Sequence, residues 1–549
     1  MKNMKQRSIG SALVALCFFF SLPLVAQPQC SALVPLPNAV AQQDGVWTVG
    51  ERVHIVTSVD KDAFCLQRLQ EVLQDRLGCV TVVTENRDSS VSSVVVLRLD
   101  ATLEGREHYT LEINRDGIVL SGASEAALFW GVQTLDQLLL GDWENTSHRR
   151  MAGMRIDDAP RFSYRALMLD PARHFLPVAD VKRYIDQMVR YKYNVLQLHL
   201  TDDQGWRVEI KKYPQLTAKG AFRAEKGGLQ GPDNGYYTQE ELRELITYAA
   251  RRHVEIVPEV DMPGHTVALL TAFPELRCQL ADTVRWVLGK TDNQMMCAAC
   301  EKTYEVCDHI LAEIAALFPS SRIHLGGDEA AIEKNWAKCP RCQALMERKG
   351  YTKTSQLMGH FFSRIIACVR EKGKTPVLWC ELDNIWMPAH EFLFNYPKDV
   401  TLVTWRNGLT PKCMELTAAS GNLLIMAPGE YTYFDYPQWK GDLPEFNNWG
   451  MPITSLEKVY EFDPEYGWEK ERLPQMEGVM GTLWGEAIRD VHRAMYMTYP
   501  RALALAEAGW TQMEHRSWAS FKERMVPNLV NLMRNGVSLR VPYEVFLQR

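Results

Sequence analysis

Eight short apolar runs recur after residue 160, each followed by a stretch of helical periodicity, and this alternation limits the fold more than any other feature. They are ALMLD (166–170), NVLQLHL (194–200), VEIVPEV (254–260), RIHLGG (322–327), TPVLWC (375–380), TLVTW (401–405), NLLIMA (422–427) and VMGTLW (479–484). Amphipathic stretches such as VADVKRYIDQMVRYK and TQEELRELITYAARRH separate them. Strand-then-helix repeated eight times predicts an α/β chain with a (β/α)8 TIM barrel, its βα loops long, spanning 161–549 together with C-terminal helices. Residues 27–160 read differently. Strand-like VHIVTS, VTVVTE, SVVVLRL and YTLEINRDGIVLSG mix with helical 61–77 and ASEAALFWGVQTLDQLL, which predicts a small α+β domain in front of the barrel. DDAPRFSYR (157–165) reads as the join.

At the N-terminus, Lys2, Lys5 and Arg7 precede the apolar stretch IGSALVALCFFFSLPLVA, the pattern of a secretory signal peptide over 1–26. Cys30 follows Gln29, where a lipid-anchor motif wants a small residue. The chain is therefore expected to be exported. Periplasm is the expected destination, with the outer membrane or the medium as alternatives. No later run reaches the ~20 apolar residues of a membrane span. With 61 basic and 67 acidic residues well mixed, net charge −6, there is no basic tract for nucleic acid and no acidic tail. Thirteen cysteines include the spacings Cys297/Cys300 and Cys339/Cys342. The gap between these pairs is far longer than a zinc ribbon uses, so loop disulfides or buried thiols are expected, with no metal and no cofactor.

In a barrel of this kind the reactive groups lie where strands end. Those ends carry Arg173 and His174, Asp202 and Asp203, Asp261 and His265, Asp328 and Glu329, Trp379 and Glu381, Trp405, Tyr433 and Asp435, and Trp484 and Glu486. Singly, each has an ordinary explanation: a Trp is core, an Asp after a strand caps a helix, Pro-Gly-His is a turn. Together they describe an apolar-walled pocket with a few aimed polar groups, which suits a sugar, with its apolar faces and hydroxyl rim. Cleaving a glycosidic bond commonly takes two carboxylates on opposite sides of it, roughly 5–9.5 Å apart. Asp328 and Glu329 are consecutive and poorly placed to straddle a bond. Their adjacency suggests that one donates a proton while the other holds a nucleophile that is not an enzyme carboxylate. Burial of the pair is expected to favour the neutral acid that the first step needs.

MLDPARHF, YNVLQLHLTDDQGWR, PEVDMPGH, HLGGDEA, APGEYTYFD and TLWGEA, in this order from about 160 to 510, resemble the motifs of the family 20 glycoside hydrolases, the exo-acting β-N-acetylhexosaminidases. The α+β domain in front resembles that family's N-terminal domain. The resemblance implies retaining, substrate-assisted removal of terminal non-reducing β-linked N-acetylglucosamine or N-acetylgalactosamine from an oligosaccharide or glycoconjugate. It implies Glu329 as general acid and then base, Asp328 as the group that orients the 2-acetamido nitrogen, and Tyr433 as donor to the acetamido oxygen. Trp379, Trp405 and Trp484 are implied as walls; Arg173, Glu486 and Asp435 as partners of ring hydroxyls. Asp202 with His265 is implied to support Glu329, and Asp261 to orient His265. Ala166 departs from the family's common Gly and is expected to be structural. The alternatives are a related enzyme releasing a disaccharide (a lacto-N-biosidase) or a sulfated sugar, and a non-catalytic sugar-binding protein. The latter would keep the Trp walls and lose the acid.

Overall fold

The computed structural model describes residues 32–86, 93–140, 149–223, 233–280, 294–383, 390–442 and 450–546. The expected leader 1–26 and Cys30 lie outside them. The first domain is a seven-stranded mixed sheet in the order Ala39–Thr48, Arg150–Asp158, Tyr109–Asn114, Gly117–Gly122, Val94–Leu99, Arg52–Thr57, Val80–Thr84. Two of these strands, Ala39–Thr48 and Arg150–Asp158, are absent from the sequence reading. The first lies at the sheet's edge and is mostly exposed and polar, so it carries no apolar run for periodicity to find. Helix Glu125–Leu138 starts at Ser124, whose hydroxyl accepts the Ala127 N–H at 3.2 Å. Ala126 to Gln137 are all buried, because the helix packs on the sheet while Gln137 also donates to the Arg190 carbonyl of the barrel at 2.9 Å.

The second domain is a closed barrel of eight parallel strands: Tyr164–Leu169, Val195–His199, Glu255–Glu259, Arg322–His324, Thr375–Trp379, Thr401–Thr404, Leu424–Met426 and Met476–Leu483. All eight expected strands are present. Val195, Val257, Val377, Val403 and Ile425 fill the interior together with Ala166, Met168 and Met480. Ala166, expected to be structural, is thus a core residue. The fourth strand is shorter than its apolar run: Gly326 and Gly327 take φ of +65° and +99° and leave the ladder before the two acids. The expected amphipathic helices follow their strands as Val178–Met188 and Gln239–Arg251. The second is closed by a reciprocal Thr238–Glu241 capping box.

Buried ion pairs join the domains. Arg165 donates to both Glu107 oxygens, at 2.7 and 3.0 Å. Lys192 Nζ lies 2.9 Å from Asp158, whose carboxylate also accepts from Trp510 Nε1 at 2.9 Å. Helix Trp518–Arg534 returns to the first described residues, where Asn528 donates to the Ala32 carbonyl at 2.7 Å. Among the described residues no helix is long and apolar enough to cross a membrane.

Candidate active site

The strand ends open into one cavity of about 680 Å³ at the C-terminal face of the barrel. Arg173, His265, Asp328, Glu329, Trp405, Tyr433, Asp435, Trp484 and Glu486, all picked out by strand-end position, line it. The turn after the fourth strand sets the two acids. A Cβ on Gly326 would stand 1.8 Å from Asp261 Oδ1, and the Gly327 N–H donates to that same oxygen at 3.1 Å, so the chain must be bare here to pass the Asp261 carboxylate. Glu329 then takes φ +48°, a left-handed conformation that costs a non-glycine residue of order 1 kcal/mol or more and is found preferentially at functional sites. The adjacent acids end up in different environments. Asp328 is 6% exposed, whereas the Glu329 side chain is 53% exposed. The expectation that both are buried is therefore corrected: the turn lays Asp328 into the wall and leaves Glu329 at the rim.

A relay of carboxylates and imidazoles runs from the barrel's centre to this pair. Glu259, fully buried, lies 2.9 Å from His199 Nδ1 and 3.2 Å from His324 Nδ1. His199 Nε2 meets Asp202 Oδ2 at 2.8 Å, and Asp202 Oδ1 meets His265 Nδ1 at 3.2 Å. His265 Nε2 stands 3.7 Å from Asp328 Oδ2 and 3.8 Å from Glu329 Oε2, so one imidazole faces both acids at ion-pair distance with no hydrogen bond to either. Burial alone would push His199 and His265 down, but carboxylates around each ring hold both well above the ordinary imidazole range. Burial would likewise raise Asp202; Arg173 and His265 overcome it and hold Asp202 well below the carboxylate range. Asp261 goes the other way: burial, reinforced by the nearby Asp328 charge, pushes it well up. Asp202, Asp261, Asp328 and these imidazoles are close enough for a cation, but His265 and Arg173 already supply the positive charge.

At the far side Arg173 is tied to Asp170 at 2.6 Å and Asp202 at 2.7 Å, with Glu486 at 3.8 Å, and its guanidinium lies over the Trp484 ring at 5.2 Å. Asp435 is pushed well up by burial and then by Glu486. Several buried polar atoms here have no hydrogen-bond partner among the described residues: Asp328 Oδ1, Tyr433 Oη, Asp435 Oδ1 and Trp405 Nε1. Buried polar groups left this way are uncommon in folded proteins, and four facing one cavity mark a place that binds something polar.

Trp379 sits elsewhere than its strand-end position suggests. It is 1% exposed, donates from Nε1 to Glu259 at 2.9 Å and packs against Trp484 at 5.6 Å between ring centroids, under the wall and off the cavity surface. Asp261 lies close to His265, but its hydrogen bond goes to Gly327. The strand-end reading gave no part to Arg406, Asn407, Tyr436 and Met451, which also line the cavity. Arg406 holds Glu381 at 2.6 Å, and burial, partly offset by that guanidinium, pushes the Glu381 carboxyl up to about 7. His199, Glu259 and His324 were likewise missed as a set. Their signal was available: a polar residue closing an otherwise apolar strand.

Comparison with known proteins agrees with this geometry. The sequence model of the catalytic domain of glycosyl hydrolase family 20 matches residues 162–513, and that of the family's domain 2 matches residues 31–159. A beta-hexosaminidase of Akkermansia muciniphila is 37% identical over 77% of this chain and 83% of its own length. One of Porphyromonas gingivalis is 31% identical over 93% of this chain and 64% of its own. The crystal structure of an exo beta-N-acetylglucosaminidase from Vibrio harveyi in complex with N-acetylglucosamine superimposes with a TM-score of 0.79 at 32% identity, covering 94% of this chain and 79% of that one. The chain belongs to glycosyl hydrolase family 20, the β-hexosaminidase family, and is a glycoside hydrolase.

Proposed function

We propose that the chain is an exo-acting, retaining β-N-acetylhexosaminidase that removes one terminal non-reducing N-acetylhexosamine by substrate-assisted catalysis. The observation that carries this reading is the split between two consecutive acids: Glu329 is solvated at the rim, while Asp328 is buried with one oxygen unpartnered and Tyr433 Oη unpartnered on the same cavity. Glu329 gives its proton to the glycosidic oxygen as the anomeric C–O bond breaks. The substrate's own acetamido oxygen forms the new bond to the anomeric carbon, with Tyr433 donating to that oxygen and Asp328 accepting from the nitrogen as it becomes positive. Glu329, now a carboxylate, takes a proton from the water that opens the ring intermediate and is restored. His265, facing both acids, keeps them in register. Trp405 and Trp484 wall the sugar, and Arg173 with Glu486 closes the end of the cavity, which favours release of one residue over a disaccharide. Export through the N-terminal leader belongs to the same proposal.

The experiment uses a chromogenic β-N-acetylglucosaminide series and its 2-hydroxy counterparts. The 2-hydroxy sugars are expected to be almost inert, and a fluorosugar that traps carboxylate nucleophiles to leave no adduct. An adduct on any Asp or Glu of the cavity would replace substrate assistance with a two-carboxylate mechanism. Glu329→Gln is expected to lose turnover on poor leaving groups by roughly 10²–10⁴-fold and far less on good ones. An equal, small loss on both would take Glu329 out of the acid role.

A further inference from the structure

We propose that Cys278, Cys297, Cys339 and Cys342 form a structural zinc site that pins the loop after the third barrel strand to the loop after the fourth. The four sulfurs all lie within 4.8 Å of one another, with Cys297 Sγ 3.6 Å from Cys342 Sγ and 4.0 Å from Cys339 Sγ. A tetrahedral zinc with bonds of about 2.3 Å places its four sulfurs about 3.8 Å apart. The set is not the pair of C-x-x-C units that spacing suggests. Cys300 drops out, its sulfur against the Glu275 carbonyl at 3.9 Å, and Cys278 takes the fourth corner.

The surroundings are those of a thiolate site. Cys339 is the N-cap residue of helix Pro340–Lys349, so its sulfur sits at the positive end of the helix. The Arg341 guanidinium contacts the same sulfur, a cation beside a centre that carries net negative charge once four thiols have lost their protons to solvent and bound one divalent ion. Cys297, Cys339 and Cys342 are fully buried, and half-buried Cys278 offers the route of entry.

The site lies behind the catalytic turn. The Met296 N–H donates to the Pro263 carbonyl at 2.9 Å, two residues before His265, and Trp336 Nε1 donates to the Met296 carbonyl at 2.8 Å. Metal at the four sulfurs thus fixes the segments that carry His265 and Glu329.

The test is metal analysis of the full chain purified without added zinc, with the disulfide state read by peptide mapping. One zinc per chain and four thiols that react only after denaturation in chelator are expected. Cys278→Ser and Cys342→Ser should lose the zinc and melt lower, while Cys300→Ser keeps it. Should the serine variants fail to fold, Co²⁺ exchanged into the wild type should give the intense visible bands of a tetrahedral thiolate site. Two disulfides among the four, free thiols that take up neither zinc nor cobalt, or zinc retained in Cys342→Ser would each overturn the proposal.

Discussion

The Tyr433 hydroxyl is buried with no hydrogen-bond partner in good geometry among the described residues, so the fold draws little stability from it. Tyr433→Phe is accordingly expected to keep its melting temperature and to lose kcat by on the order of 10²–10³-fold, the usual loss for one donor aimed at developing negative charge. Kinetics and melting on one preparation check it; a lower melting temperature with unchanged kcat would make Tyr433 a packing residue. Trp379→Phe should do the opposite. It strips a donor from fully buried Glu259 at 2.9 Å and is expected to cost about 1–3 kcal/mol of stability, while Trp484→Ala, at the cavity surface, raises KM. This contrast shows what was legible in the sequence at this scale. Strand-end position named both Trp residues and both acids, because the fold's rule is positional. Depth was not legible: whether a ring faces the cavity or the barrel axis, and whether Glu329 lies under the wall or at the rim, depend on a φ of +48° and on strands far away in sequence.

Among the elements, the turn after the fourth strand joins sequence most directly to chemistry. Gly326→Ala would place a methyl 1.8 Å from Asp261 Oδ1 at φ +65°, so either the turn or the Asp261 carboxylate must move. The variant is expected to lose several kcal/mol of stability, judged from the class of mutations that combine overpacking with left-handed strain, and to lose activity in whatever fraction stays folded. Normal activity at a lower melting temperature would show that Asp261 does not position the acids. The eight barrel strands were legible because each is buried on both faces and reads as an apolar run. The edge strand Ala39–Thr48 was not, since solvent on its exposed side allows polar residues there. Cys278 was illegible for another reason: it has no C-x-x-C partner of its own, and only the packing of the loop after the third strand on the loop after the fourth brings its sulfur to the other three.

Across the whole molecule, the C-terminal face of the barrel carries acids that the fold holds against their preference. Burial, with Asp202 adding its charge, pushes Asp203 up to about 6; burial pushes Glu381 up to about 7; and Asp261 and Asp435 are raised well above the carboxylate range. An acid whose folded affinity for its proton exceeds its unfolded one makes the fold bind more protons. Stability from such groups is therefore fully present below about pH 4 and is lost as pH rises through the folded values. Paired acids such as Asp202, held well below, have the opposite sign, and their contribution disappears only in acid. Between about pH 4 and 7 the raised acids lower stability as pH rises, opposed by His253, which burial pushes down to about 4, and they are a standing cost to the neutral-pH fold. Asp203 isolates the effect, since its carboxylate accepts the Val267 N–H at 3.1 Å and an asparagine oxygen can do the same without charge. Asp203→Asn should match the wild type in melting temperature near pH 4 and exceed it progressively up to about pH 7, by an amount corresponding to about 1–3 kcal/mol. Melting curves of both proteins from pH 4 to 8 decide it. A difference of one size at every pH would mean that the substitution acts through packing, and that the Asp203 proton plays no part in the stability of the fold.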